Sequence, residues 1–202
     1  MNDENQKQII EHYDLLIDEG NDPVYDDLPL KEYMDKWDGK AFVDLLNVNK
    51  DISALEIGVG TGRLALRICD KVKTFTGIDL SPKTIARAKL NLQKYKPNLI
   101  CDDFLRYEFA HKFDLIYSSL TFFHIERKLY AITKVYELLN SNGLFVLSIE
   151  KDTRGELDFC NRKIKLYPDD LKSTIKWLKL VGFELENVVE TEFAYLFRAK
   201  KC

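Results

Sequence analysis

Leu55-Glu56-Ile57-Gly58-Val59-Gly60-Thr61-Gly62 sets three glycines at alternate positions directly after an apolar run. Without a Cβ, such a turn adopts positive φ freely and lets a ligand approach the main chain, here along Val59 and Thr61 as well. A turn after the first strand of an open α/β sheet lies at the carboxyl edge, where small ligands bind. The pattern is not a dinucleotide fingerprint: Arg63 stands where the third glycine would fall, and Glu56 comes two residues before the first. Both departures point away from a pyrophosphate and toward another nucleoside ligand.

Further acids sit where such a ligand needs them. Asp79, in Gly77-Ile78-Asp79-Leu80, ends a second apolar run nineteen positions beyond Gly60 and can accept both hydroxyls of a ribose. Asp102-Asp103-Phe104 follows a third run. A carboxylate there accepts from an exocyclic amine, and a following backbone N–H donates to a ring nitrogen. Ser118 and Ser119 end a fourth run, beside the glycine turn if the fourth strand neighbours the first. Plainer roles remain open: Asp79 as an acid near a helix start, Glu56 as a buried structural acid, Asp102 as a solvated neighbour. Arg63 either meets a ligand carboxylate or pairs with a surface acid.

The elements that must position these residues alternate. Ile9, Tyr13, Leu16 and Ile17 have helical spacing, and Gly20-Asn21-Asp22-Pro23 breaks that helix. A second helical region carries Tyr33, Trp37, Ala41 and Leu45. Strands are expected at 52–57, 74–78, 99–101, 113–118 and 144–149. Helices are expected at 62–69, from Ser81-Pro82, through 129–139, and from Pro168 to Gly182. The 151–167 stretch has no regular pattern. Two final β-like runs, 183–189 and 193–199, meet around Glu190-Thr191-Glu192 as an antiparallel pair. This order predicts an α/β fold: a Rossmann-like, seven-stranded, mostly parallel sheet with helices on both faces and the last strand antiparallel. One domain over 1–202 is expected, with 1–50 as an N-terminal helical extension and 51–202 as the core.

Composition narrows the classes. The chain has 202 residues, 46% hydrophobic and 31% charged, with a formal net charge of −3. That charge offers no field for nucleic acid or an anionic membrane. No apolar run approaches the roughly 18 residues of a membrane span. Met1–Asn5 is polar and acidic, unlike a signal peptide. Cys69, Cys101, Cys160 and Cys202 are scattered, so a cytoplasmic setting is expected. Of the histidines, His111 and His12 read as solvent-exposed. Lys172, Lys176 and Lys179 read as a solvated helix face.

One ligand accounts for the glycine turn, the acids and the lack of a phosphate-binding lysine: a molecule with ribose, adenine and positive charge, as in S-adenosylmethionine. The chain resembles the class I S-adenosylmethionine-dependent methyltransferase family over 52–200. Glu56-x-Gly58-x-Gly60-x-Gly62 resembles its first motif, Asp79 its ribose-binding acid, and Asp103, before Phe104, its adenine-binding acid. Phe113–Ser119 resembles its fourth-strand motif, and Asn140–Leu147 the helix-to-strand turn that follows. The resemblance implies S-adenosylmethionine as cofactor, with Glu56 near its methionine end and Leu80 and Phe104 beside the nucleoside. It places Phe123 and His124 in the loop bordering the acceptor, with His124 either a general base or a structural histidine. Tyr25, Tyr33 and Trp37 belong to an extension that covers such sites, or else to ordinary core.

Methyl transfer needs positioning more than catalytic side chains, so the donor is easier to read than the acceptor. The Asp/Asn-Pro-Pro-aromatic motif of amine-directed DNA methylases is missing at Ser118-Ser119-Leu120-Thr121, as is the Pro-Cys of cytosine-C5 enzymes. Ser118 also stands where metal-dependent relatives carry a ligating aspartate, so no metal is expected. A small-molecule acceptor is expected by elimination. Competing readings are a non-catalytic S-adenosylmethionine-binding module, a nicotinamide-dependent oxidoreductase, and a protein or RNA methylase. The oligomeric state is not legible.

Overall fold

The computed structural model describes residues 3–159 and 162–202. Cys160 lies outside them, and Cys69, Cys101 and Cys202 are free thiols. The described residues form nine strands: β1 (Ser53–Ile57), β2 (Thr74–Asp79), β3 (Asn98–Cys101), β4 (Phe113–Ser118), β5 (Leu139–Glu150), β6 (Glu156–Phe159), β7 (Arg162–Lys165), β8 (Phe183–Glu190) and β9 (Ala194–Lys201). Seven of them make one sheet in the order β3-β2-β1-β4-β5-β9-β8. β1 to β5 are parallel, and β9 runs antiparallel to both β5 and β8. The predicted seven-stranded, Rossmann-like sheet is therefore present.

Both faces of the sheet are covered, which is why its central strands are apolar throughout. Leu55, Ile57, Phe145 and Leu147 face a core shared with α5 (Lys128–Leu138) and α6 (Leu171–Val181). Ala54, Tyr117 and Val146 face a second core, shared with α3 (Lys40–Leu45) and α4 (Pro82–Asn91). α4 starts as its sequence predicts, with Ser81 as N-cap accepting from the Thr84 N–H and Pro82 opening the helix.

Two expected helices differ. The 62–69 segment holds only a 3₁₀ turn, Ala65–Arg67. Its hydrogen bonds mix i−3 steps (Arg67 to Leu64, 2.8 Å) with i−4 steps (Cys69 to Ala65, 2.8 Å), so burial of Leu64, Ala65 and Ile68 holds it rather than helical regularity. The helix expected through Tyr33 and Leu45 breaks at Gly39 into α2 (Leu28–Asp38) and α3. Gly39 leaves helical geometry at ψ −141, and Asp38 turns fully into the interior.

The N-terminal α1 (Asp3–Asp18) lies across the carboxyl edge of the sheet. Asp14 accepts from Ser81 Oγ at 2.6 Å and from the Lys83 N–H at 3.1 Å, seating a carboxylate at the start of α4, where the helix dipole favours it. His12 is only 4% exposed, contrary to its surface expectation, because its ring packs edge-on to Phe159 at 5.8 Å. The 151–167 stretch forms the antiparallel pair β6–β7, which packs on α1 and is tied to it by Arg162 and Glu19 at 2.9 Å.

A buried ion pair anchors the loop after β4. Lys128 Nζ meets Asp169 at 2.7 Å with side chains 6% and 2% exposed, and donates to the Phe122 carbonyl at 2.8 Å. Asp169→Ala strands the ammonium without its counter-charge, and an expected loss of about 3–5 kcal/mol is measurable by urea denaturation. A loss under about 1 kcal/mol would show that the loop is held without this pair.

Candidate functional site

The carboxyl ends of β1 to β5 open into one cavity of about 720 Å³, within the range of small-molecule sites. One side is the glycine turn. Gly58, Gly60 and Gly62 have φ of 75°, 55° and 98°, which only glycine takes without strain. The Gly58 and Val59 N–H groups donate to the Ile78 carbonyl, tying the turn to β2. Asp79 closes the arrangement, accepting from the Gly60 and Ser81 N–H groups, each at 3.0 Å. A Cβ on Gly60 would meet nothing within 4 Å, so the main chain there faces open cavity. A Cβ on Gly58 would overlap Thr121 Oγ1.

The wall concentrates negative charge. Glu56 on β1 is paired in register with Tyr117 on β4, and the Tyr117 hydroxyl donates to it at 2.9 Å. Burial pushes the Glu56 carboxyl up to about 8, against that hydrogen bond and the Arg63 charge. Burial also raises Asp79, against the backbone N–H groups of Ser81, Gly60 and Leu80. Asp103 accepts from the Leu105 N–H at 2.8 Å through Oδ1. Its Oδ2 is buried without a hydrogen-bond partner, with Arg106 Nε 3.7 Å away. Arg63 donates to Asp38 Oδ2 at 2.5 Å, and Ser119 Oγ donates to the same oxygen at 2.6 Å. Burial works against the Arg63 charge, yet Asp38 outweighs it and raises the guanidinium above its ordinary value.

Across the cavity, Tyr13 Oη and His124 Nε2 are hydrogen-bonded at 2.8 Å. Burial pushes His124 down to about 3, assisted by His12 and Lys128, so its imidazole is neutral at pH 7 and a weak proton acceptor. Burial raises the Tyr13 phenol, with Asp79 and Glu150 adding to the effect.

Residues 55–147, a little under half of the chain, match the family model described as a methyltransferase domain, a span that starts within β1, takes in Glu56, the glycine turn, Asp79 and Asp103, and ends on β5. The chain thus carries a methyltransferase domain. It is 34% identical to a malonyl-[acyl-carrier protein] O-methyltransferase of Priestia megaterium over 115 residues, 55% of this chain and 42% of that protein. The chain spans less than two thirds of the curated relatives first matched, 42% of that one and 64% of an uncharacterized methyltransferase of Bacillus cereus. In fold it resembles the N-methyltransferase NodS of Bradyrhizobium japonicum, solved with S-adenosyl-L-homocysteine (TM-score 0.74, 21% identity, 98% of each chain). It superposes equally well on the [4+2]-cyclase SpnF (TM-score 0.77, 15% identity, 97% of this chain and 96% of that one), so the fold alone does not name a reaction.

Within this methyltransferase domain, the cavity wall gathers Glu56, Gly58, Val59, Gly60, Thr61, Arg63, Asp79, Leu80, Asp103, Phe104 and Ser119 from the residues expected to hold a cofactor. Gly62 lies behind the wall, where a Cβ would press on Leu92. Ser118 is also outside, its hydroxyl donating to the Ile57 carbonyl at 2.9 Å. Arg63 pairs with Asp38, an interior acid rather than a surface one. Tyr33, Trp37, Phe123 and His124 also line the cavity, whereas Tyr25 is 72% exposed and absent from the wall. The sequence reading did not single out Asp38, Glu150, Leu157 or Phe159, and took Tyr13 only as part of an apolar stripe. Glu150 had a usable signal, since it ends a parallel strand at the ligand-binding edge.

Glu56 makes stability depend on pH with a definite sign. Its folded value, about 8, lies above the ordinary 4.5, so its stabilising contribution is full below 4.5 and is lost as pH rises through 8. Glu56→Gln is expected to raise Tm at pH 8.5 by at least about 2 °C, with the gap closing toward pH 4.5. A gap constant across that range would contradict the assignment. Of the two glycine variants, Gly60→Ala is expected to cost about 1–2 kcal/mol for its backbone conformation alone. Gly58→Ala should cost more, because its methyl also meets Thr121. Equal losses in denaturation would contradict that ordering.

Proposed function

We propose that this chain binds S-adenosylmethionine through the glycine turn, Glu56, Asp79 and Asp103, and methylates a small-molecule acceptor on the β4–β5 side of the cavity. One observation carries the donor assignment. Three carboxylates stand at or just beyond the carboxyl ends of the adjacent strands β1, β2 and β3, around a bare main-chain turn, and one of them has a buried oxygen that accepts no hydrogen bond. The residues fit the ligand: the open face at Gly60 admits close approach, and Asp103 Oδ2 is an acceptor awaiting a donor such as an exocyclic amine.

S-adenosylmethionine supplies a methyl carbon activated by its sulfonium. The protein's part is to place the acceptor in line with that carbon and to exclude water. Glu56, held protonated by burial in the empty cavity, offers negative charge toward the methionine end once a bound cation ionises it, Asp79 two acceptor oxygens toward a ribose, and Leu80 and Phe104 apolar contact for the base. α1, α2 and the β6–β7 pair roof the cavity with Tyr13, Leu16, Trp37, Leu157 and Phe159, an enclosure suited to a small acceptor rather than a polymer. The whole chain acts in this reading as one unit, with 1–50 as its cap. The free thiols accord with a cytoplasmic setting. No helix among the described residues is long and apolar enough to cross a membrane.

Isothermal titration of S-adenosylmethionine and S-adenosylhomocysteine is expected to give micromolar binding. Asp79→Ala should weaken it tenfold or more, about 1.4 kcal/mol. Asp79→Asn, which keeps one acceptor oxygen for the turn, should also lose affinity while remaining folded. Absence of binding to the wild type, or tight NADH binding in its place, would overturn the donor assignment.

A further inference from the structure

Two wall carboxylates, Asp102 and Glu150, lie outside the proposed donor set, and Glu150 alone stands away from it. Glu150 ends β5, and the sheet order β2-β1-β4-β5 sets it three strand spacings from Asp79, roughly 14 Å across the carboxyl edge. The nearest chain cations are engaged elsewhere. Lys151 pairs with Glu190 at 2.7 Å and donates to the Thr191 carbonyl, and Arg154 pairs with Asp152 at 2.5 Å. Glu150 shares its side of the cavity with the rings of Tyr13, Tyr33, Trp37 and Phe159. Trp37 also lies edge-on to Tyr33 at 5.2 Å and hydrogen-bonds toward the carboxylate.

We propose that Glu150, with the Trp37 and Tyr33 rings, forms the acceptor subsite and that the acceptor is an amine. This deepens the methyltransferase reading and rests on the donor assignment above. An unpaired carboxylate among aromatic faces attracts a cation through both its charge and the ring quadrupoles. A carboxylate acceptor would instead meet five wall acids, Glu56, Asp79, Asp102, Asp103 and Glu150, with Arg63 already committed to Asp38. An alcohol acceptor would need a strong base, and the neutral His124 is a weak one.

The chemistry balances. The amine arrives as an ammonium, and Glu150 accepts one of its protons. The freed nitrogen lone pair forms the N–C bond as the C–S bond breaks, its electrons returning to sulfur to leave a neutral thioether. The methylated nitrogen departs as a cation, and Glu150 returns its proton to solvent. Burial suits Glu150 to this exchange, pushing it up to about 7. Asp152 and Asp169 reinforce the shift, while Arg154 and the Trp37 hydrogen bond oppose it. Asp169 is itself paired with Lys128, and Tyr13 faces Glu150 from α1.

The test uses the full chain loaded with S-adenosylhomocysteine and three probes of one shape: 2-phenylethylamine, 2-phenylethanol and 3-phenylpropanoate. Calorimetry is expected to show the amine binding at least tenfold tighter than the alcohol, with no measurable carboxylate binding. Glu150→Gln should bring the amine within threefold of the alcohol, and Glu150→Asp, which keeps the charge, should restore the preference. With tritiated S-adenosylmethionine, label should move to the amine alone. The proposal is overturned if the alcohol or the acid binds the wild type as tightly as the amine. It is equally overturned if Glu150→Gln keeps the preference, or if no saturable amine binding is seen. Failure of S-adenosylhomocysteine to bind at all is a separate outcome, which removes the donor assignment and this subsite with it.

Discussion

The site depends on one buried ion pair. Arg63, the first residue after the glycine turn, reaches Asp38 at the end of α2, and Ser119 from the loop after β4 shares the same carboxylate oxygen. Three segments far apart in sequence therefore meet at one atom. Desolvating both charges is costly, and their attraction compensates only where geometry and extra hydrogen bonds are good. The break at Gly39 is what turns Asp38 inward, and the second arginine, Arg67, reaches Asp35 one helical turn earlier at 2.8 Å. Together these contacts set α2, with Tyr33 and Trp37, over the turn it covers.

Because Arg63 is committed to Asp38, it offsets the neighbouring Glu56 only in part. Burial raises Glu56, Asp79 and Glu150, each opposed by local hydrogen bonds or a nearby cation. Such a cavity favours an occupant carrying positive charge, since an incoming cation replaces the hydration those carboxylates have lost. The lone cation in the described wall holds α2 in place, and the acids are left to the ligands. Glu56 also shows why binding competence and stability pull apart here: ionising it opposes folding of the empty protein, yet the ionised form is what attracts a sulfonium or an ammonium.

Much of the sheet was legible because its cues are local. Apolar runs ending in Gly58-x-Gly60-x-Gly62, Asp79 and Asp103 report strands and their carboxyl ends directly, and the Ser81-Pro82 and Gly182 helix boundaries follow from backbone chemistry. What escaped depends on contacts distant in sequence. Nothing local marks Asp38 as Arg63's partner, Tyr13 as the hydrogen-bond partner of His124, or β6 and β7 as an antiparallel pair against α1. His12 looked solvated for the same reason, its covering ring being Phe159. The segment after Gly62 misled for a different reason: its apolar spacing is helical, but core burial is satisfied by a single 3₁₀ turn. Ser118 lies at the right strand end, yet its hydroxyl turns back to the Ile57 carbonyl, a choice that residue type alone does not reveal.

The division of the cavity follows the division of the chain. Glu56, the glycine turn, Asp79 and Asp103 all fall within the family match at 55–147. Tyr13, Tyr33, Trp37, Glu150, Leu157 and Phe159, which form most of the opposite wall, all fall outside it. An open parallel sheet permits this separation, because its carboxyl edge is wide enough for two sites and each strand end supplies its own side chain. The turn that holds a cofactor must keep its backbone geometry, whereas the roof elements need only dock on a finished sheet. Their side chains can change without disturbing Gly58 to Gly62. In the proposed reading, the acceptor is therefore chosen by α1, α2, the end of β5 and the β6–β7 pair.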